Sequence, residues 1–456
     1  MSIKIKHRSS SKLAALVIAA TIAIAPLAAP ATTYASINSG NLTQSEQYQT
    51  FLSTKYQINV NSQLTKGQYI QYVADLLPGD ANSSTLAFTD VASTDAQYAA
   101  IVELNEKGIL SGATVSAKQQ LEPWVAAIIA VRASGLKELA LTYTTAKTDA
   151  ALKKINSSSA QWAPHVAQEL AVAIDNELIP EQYYKEFSKK SVASSELINT
   201  LLGQIVTFNG QYKQYLGSSQ DADIIAELIA AYSTSDIIQV NDLQTIVNTA
   251  LEKDIITGYN FKDSRFDANF VDEYALTYGH SDLKHAIQLI GLLRSEGIEA
   301  KVQFEPKTSA FQYLIEWGEP TQSDTYQVKQ IANGKYVAYS KEYDLKLEFT
   351  SLADKAKFQD IINAYAKKDA DDEQGLIYAS WWQPLYHSNT ELADYESVSN
   401  NTISLGNYYA QTFSLNEEVE EIVAGMKQVN PDVVVKTNQF WVNKAFFNYL
   451  GGKDHK

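Results

Sequence analysis

The sequence predicts two regions of different class, an all-α region over residues 63–220 and a mixed α+β region over 221–456. Three observations carry this. Between 63 and 220, apolar residues recur at helical spacing, with short polar breaks. After residue 300 the period shortens to two in "FQYLIEW", "YQVKQIANGKYVAY" and "YDLKLEF". Helix-start signatures then interleave with those strands, Ser351 with Asp354 and Ser414 with Glu417.

At the start of the chain, Lys4, Lys6, Arg8 and Lys12 precede the apolar run "LAALVIAATIAIAPLAA", and small residues surround Ala35. That order predicts a secretory signal peptide over 1–35 and an exported mature chain. Residues 36–62, rich in Ser, Asn, Thr and Gln, are expected to be a linker. Helices are then expected at 65–77, 95–107, 121–134, 162–176 and 192–206, with two more around "ADIIAELIAAY" and "DLQTIVNTALEK". In "YGHSDLKHAIQLIGLLRSEGIEAKV", Leu283, Ala286, Ile287, Leu289, Ile290, Leu292 and Leu293 predict a helix buried on most sides. Gly297 ends it as a left-handed cap, and Ala300–Phe304 reads as a strand. Asn333-Gly334 predicts a hairpin, and the strands together predict a sheet of four or five. No later stretch is apolar for long enough to span a bilayer.

Composition narrows the chemistry. The absence of cysteine removes disulfides, thiolate nucleophiles and zinc–thiolate sites together, and in an exported chain this long it suits a Gram-positive envelope. The first 35 residues hold four of the 37 basic and none of the 52 acidic residues, so their removal takes the formal net charge from −15 to −19. Such a chain is repelled by nucleic-acid phosphates. It is equally repelled by an anionic wall in bulk, so wall binding requires a specific pocket. No serine-hydrolase elbow, phosphate loop or cofactor fingerprint is present, and no cofactor is expected.

The most specific string is "AFTDVASTDAQYAAIVELNEKGILSG", residues 87–112. Asp90 offers a cap for the following helix, Tyr98, Ile101 and Leu104 share a face, and Gly108 and Gly112 permit a tight reversal. With Phe88, Val91, Ile109 and Leu110, these residues resemble the S-layer homology module, whose F-x-D-V start leads through a helix and a G-I-(I/L)-x-G turn to a T-R-A-E helix. "QLTKGQYIQYVADLL" from Gln63, "QWAPHVAQELAVAIDNELIP" from Gln161 and "VASSELINTLLGQI" resemble parts of neighbouring units, so the likeness covers roughly residues 63–208. The resemblance implies three units that bind a secondary cell-wall polymer or peptidoglycan-linked glycan, with Lys66, Asp90 and Trp162 at the grooves. Lys66 holds the basic place of the first unit, whereas "QLEPW" and "ASSE" have lost it in the other two.

Roughly residues 260–350 resemble the core of transglutaminase-like folds, through Ala286, Leu292, Leu293, Arg294, Gly297, Ile298 and Ala300 in the stretch that starts at His280. The nucleophile position of that core falls here on Asp282, and Ser309 stands near the histidine position, so the resemblance implies a degenerate scaffold with no catalytic residue. His280, Asp282 and His285 are read as a capped helix start with polar neighbours rather than a metal site. Trp381, Trp382 and Tyr386, with His387 and Tyr395, form a candidate glycan-stacking group. The paired carboxylates Asp371-Asp372 and Glu417-Glu418 read as solvated faces. The sequence thus predicts a secreted, wall-bound, non-enzymatic envelope protein. The alternatives are a wall-peptide-modifying enzyme on the transglutaminase-like scaffold, with an atypical nucleophile, and a carbohydrate binder working through Trp381–Tyr395.

Overall fold

The computed structural model describes residues 42–77, 86–187, 191–332, 334–365 and 385–453. The expected signal peptide, Asp371-Asp372, Trp381 and Trp382 lie outside them, as does the side chain of Tyr386.

The N-terminal region is all-α: α1 (Gln44–Tyr56), α2 (Lys66–Leu76), α3 (Tyr98–Glu106), α4 (Pro123–Ala133), α5 (Lys137–Leu141), α6 (Thr145–Leu152), α7 (Pro164–Asp175) and α8 (Ser195–Phe208). α1 falls in the stretch expected to be a linker. Its polar composition hides two local devices. A reciprocal capping box joins Thr43 and Glu46, and Phe51 and Leu52 are buried in the common core. α1 also approaches α8 so closely that a Cβ on Gly203 would fall 2.0 Å from the Tyr48 ring. α2, α3, α4, α7 and α8 start and end within a few residues of their expected bounds, whereas α5 and α6 fall outside every expected helix. Their buried faces form one apolar core running from Phe51 to Val206.

Three of these helices begin at one point. Leu64, Leu121 and Ala193, each immediately before a helix N-cap, are buried together. Leu121 N–H donates to the Leu64 carbonyl at 3.2 Å, and Ala193 N–H donates to the Leu121 carbonyl at 2.9 Å. The caps that follow are Thr65, Glu122 and Ser194. Backbone pairing therefore fixes the starts of α2, α4 and α8 relative to one another.

The C-terminal region corrects the expected class: it is neither transglutaminase-like nor an open α+β sheet. Its strands are β1 (Gly217–Ser218), β2 (Gly258–Asp263), β3 (Ala275–His280), β4 (Ala300–Tyr313), β5 (Tyr326–Gln330), β6 (Tyr336–Phe349), β7 (Leu385–Ser388), β8 (Glu396–Leu405), β9 (Tyr408–Ser414) and β10 (Lys436–Val442). All pair antiparallel in the order β1-β4-β2-β9-β8-β10-β7-β3-β6-β5, and β4 also pairs with β6 over fourteen residues. That last pairing closes eight strands into a barrel, with β1 and β5 as extensions. The hairpin at Gly334 (φ 83°) is as expected.

The physical reason for the correction lies in the faces of the strands. Along β6, Tyr343, Leu345 and Leu347 point outward and pack under α9 (Ile224–Thr234) and α11 (Leu283–Ser295). Tyr259, Phe261, Ala310 and Ala410 do the same under α10 (Asn241–Glu252) and α13 (Val419–Val429). The alternate positions line the barrel interior and are largely polar, which makes strands such as "ESVSNNTISL" read as loop. The remaining helices are α12 (Leu352–Tyr365) and α14 (Lys444–Leu450). The two regions meet where Val271 joins the helical core and Gln214 N–H donates to the Ala268 carbonyl at 2.8 Å.

Candidate functional site

Lys66 is the first residue of α2, half-buried beside the shared helix junction. Its backbone N–H donates to Gln119 O at 2.9 Å and that of Gly67 to Ala117 O at 2.8 Å, so α2 is tied to the loop around residues 113–119. Asp90 grips the same loop, accepting from Val115 N–H at 2.9 Å and Ser116 N–H at 2.6 Å. The expected cap on α3 is therefore corrected: α3 begins only at Tyr98, after Gln97, and Asp90 anchors a loop twenty-five residues on. Those backbone N–H groups hold the Asp90 carboxyl below its ordinary range, with a smaller contribution from Lys66. Burial lowers the Lys66 pKa and the Asp90 charge opposes the fall. Among the described residues, no carboxylate closes to ion-pair distance of Lys66.

Trp162 stands at a different boundary. It precedes α7, half-buried, and its ring centre lies 5.6 Å from that of Trp124, the second residue of α4, at 51°. Each indole N–H is already used, by Ser157 Oγ for Trp162 and by Glu122 Oε2 for Trp124. What the pair offers outward is ring surface. Farther along the same two helices, Arg132 donates two hydrogen bonds to Glu169, at 2.8 and 3.0 Å. The indole pair and this ion pair bridge α4 and α7 at points about 12 Å apart along the axis. Arg132, Glu169, Lys137, His165, Gln168 and Ser111 line a cavity of about 230 Å³. Arg132 and Lys137 also donate to the carbonyls of Ile109 and Gly108, so the Gly108–Gly112 reversal is held by the cations of the cavity. Aromatic faces suit a sugar ring, and two cations against one carboxylate suit an anionic group.

The structure thus brings Lys66 and Asp90 to one loop and places Trp162 with Trp124. Among the described residues, no hydrogen bond or ion pair joins Lys66 or Asp90 to Trp124 or Trp162. Trp124, Arg132 and Lys137 escaped sequence reasoning. The signal for Trp124 was its place in the first turn of α4, two residues after the N-cap Glu122, as Lys66 stands one residue after the N-cap Thr65.

In the barrel, Asp282 caps α11 by accepting from Lys284 N–H at 2.9 Å. Ser309 Oγ lies 2.6 Å from Glu342 Oε2 and 2.7 Å from Asn260 Oδ1. His280 Nδ1 accepts from Asp282 N–H at 2.8 Å, and its ring stacks on His285 at 3.9 Å. Among the described residues, no group of three or more metal-ligating side chains is assembled.

The barrel interior holds an ionic network. Lys262 Nζ contacts Glu305 at 2.5 Å and Asp344 at 2.8 Å, and Lys307 contacts Asp344 at 2.7 Å. Burial opposes ionisation of Asp344, but Lys262 and Lys307 outweigh it and hold the carboxyl well below its usual range. Burial, reinforced by Glu305, pushes Asp267 up to about 6. Burial pushes His387 down to about 3, and its enclosed Nδ1 has no hydrogen-bond partner among the described residues. Gly279 makes room for the network, since a Cβ there would lie 2.6 Å from Lys307 Nζ.

Compared with known proteins, the chain matches no family model, no curated protein and no solved structure.

Proposed function

We propose that this chain is an exported cell-envelope protein that holds an anionic wall glycan non-covalently on its helical region, and that its barrel is a presented, non-catalytic body. The observation that carries this reading is the half-buried ammonium of Lys66, which has no carboxylate at ion-pair distance among the described residues and stands at the point where three helices begin. A desolvated cation without a partner is costly unless something anionic completes it. The tilted Trp124–Trp162 pair and the Arg132–Lys137 cavity add a second place for ring stacking and a negative substituent. A net charge of −19 after loss of residues 1–35 makes adsorption by bulk attraction unfavourable, so binding rests on these local contacts.

The experiment is co-sedimentation of the mature chain with purified cell walls, before and after extraction of their anionic polymer. The proposal expects saturable binding to intact walls, lost on extraction and weakened roughly thirtyfold by Trp124→Ala with Trp162→Ala, since stacked rings each contribute on the order of 1 kcal/mol. Equal binding to extracted walls would remove the polymer from the account.

A further inference from the structure

At the seam between α1 and the barrel, two ammonium groups share one carboxylate oxygen. Lys213 Nζ lies 2.7 Å and Lys301 Nζ 3.3 Å from Glu348 Oε1. The other oxygen, Oε2, accepts from Val271 N–H at 2.8 Å, so both oxygens of Glu348 are engaged. An ammonium has three N–H donors. Beyond Glu348, no further hydrogen-bond acceptor for either lysine is found among the described residues. Their other neighbours are ring faces, Tyr212 for Lys213 and Tyr215 for Lys301. The Lys213 side chain is 4% exposed. Burial lowers its pKa, Glu348 opposes the fall, and Lys301 adds to it.

These groups border a cavity of about 310 Å³. Val271, Phe349 and Tyr274 wall it on the barrel side, and Gln47 and Thr50 of α1 on the other. A second carboxylate, Glu299, stands at the rim, exposed and accepting from the Ser218 hydroxyl at 3.0 Å. Lys213 and Glu348 are both buried and offset one another, Lys301 beside them leaves one net positive charge at the inner end of the cavity, and water screens Glu299 at the rim.

We propose that this cavity binds a small oxyanion, a carboxylate or a phosphate on a compact body. The unspent N–H donors of Lys213 and Lys301 take the anionic oxygens, and Val271, Phe349 and the Tyr274 ring take the body. The volume lies at the lower end of small-molecule sites. An occupant touches α1, β4 and β6 at once and so fastens the helical region to the barrel. The site shares no residue with the proposed glycan surface, and the two stand or fall separately.

The test is thermal unfolding of the full mature chain at constant ionic strength, with chloride replaced stepwise by inorganic phosphate, by acetate or by benzoate. A ligand that binds only the folded state raises Tm in a saturable way. The expected result is such a rise with at least one oxyanion, abolished in Lys301→Gln and in Lys213→Met. A rise with phosphate alone assigns a phosphate ligand, and one with acetate or benzoate alone a carboxylate. Lys301 is partly exposed and tolerates replacement, so Lys301→Gln decides the matter if Lys213→Met does not fold. No saturable rise with any of the three, or a rise unchanged in Lys301→Gln, overturns the proposal.

Discussion

The helical region and the barrel solve the burial problem in opposite ways. In the first, apolar side chains converge on a single interior that includes Tyr69, Leu170 and Leu201, and polar groups face out. In the second, the apolar faces of the strands point outward under helices, and the enclosed space holds Lys262, Glu305, Lys307 and Asp344. A core of the first kind depends on volume and shape. One of the second kind depends on every charge keeping its partner, because an isolated buried ion is far costlier than a pair. The same interior length of chain is therefore sensitive to different insults in the two regions.

The largest effect that sharpens this contrast is Lys262→Met. It leaves Glu305 and Asp344 buried without their shared cation and is expected to cost about 3–5 kcal/mol at neutral pH. Leu170→Ala, in the helical core, is expected to cost a comparable amount, about 2–5 kcal/mol. The two separate on acidification: the Lys262→Met penalty shrinks once the carboxylates are protonated, and the Leu170→Ala penalty does not. Urea unfolding of both variants at pH 7 and pH 4 checks this. Equal pH dependence would contradict the contrast.

Next in size is Gly203→Ala, whose new methyl meets the Tyr48 ring and is expected to cost about 1–3 kcal/mol by overpacking. A circular-dichroism melt reads it directly. An unchanged Tm would mean that α1 does not pack on α8 as closely as described.

A smaller effect is the acid response. His280 is pushed down to about 4, by burial and then by His285, and His387 to about 3 by burial. Both are neutral when folded and take up protons on unfolding below about pH 6.5, so each contributes stability above that pH that is lost as pH falls toward its folded value. Asp267, raised to about 6, has the opposite sign: its contribution is full below the unfolded value and lost as pH rises through about 6. His285, also lowered by burial, acts in the same sense as the other two histidines, so near pH 5 they outweigh Asp267 and stability falls as pH drops. His387→Phe should make that slope shallower. A slope unaltered by both His387→Phe and His280→Asn would place the acid sensitivity elsewhere.

What the sequence disclosed follows from the same contrast. Helices α2, α3, α4, α7, α8 and α11 were legible because apolar residues recur along each at helical spacing and their ends carry caps such as Thr65 and Gly297. The barrel was not, because alternation reports two faces and does not say what each face meets. "YDLKLEF" shows Leu345 and Leu347 on one side and Asp344, Lys346 and Glu348 on the other, and water is the ordinary inference for the second set. Here it is the barrel interior. β4 pairing with β6 is a long-range closure that no local pattern announces. α1 was hidden for a different reason: its few apolar residues, Tyr48, Phe51 and Leu52, are spread among glutamines and serines. For the candidate surface, Lys66 and Trp162 could be named from motif spacing, whereas Trp124, Arg132 and Lys137 became visible only once α4 and α7 lay side by side.

The measurement that bears most directly on the proposed function is the affinity of the mature chain for purified wall polymer, compared among wild type, Lys66→Ala and Lys66→Arg. A charged hydrogen bond lost from a partly buried site costs about 1.5–3 kcal/mol, roughly ten- to a hundredfold in Kd. Lys66→Ala is expected to weaken binding by that order with helical circular dichroism unchanged, since alanine suits the first turn of α2. Lys66→Arg is expected to keep or tighten it, because a guanidinium meets a carboxylate through two hydrogen bonds. An alanine variant that binds as tightly as the wild type would contradict the account and remove Lys66 from any polymer site.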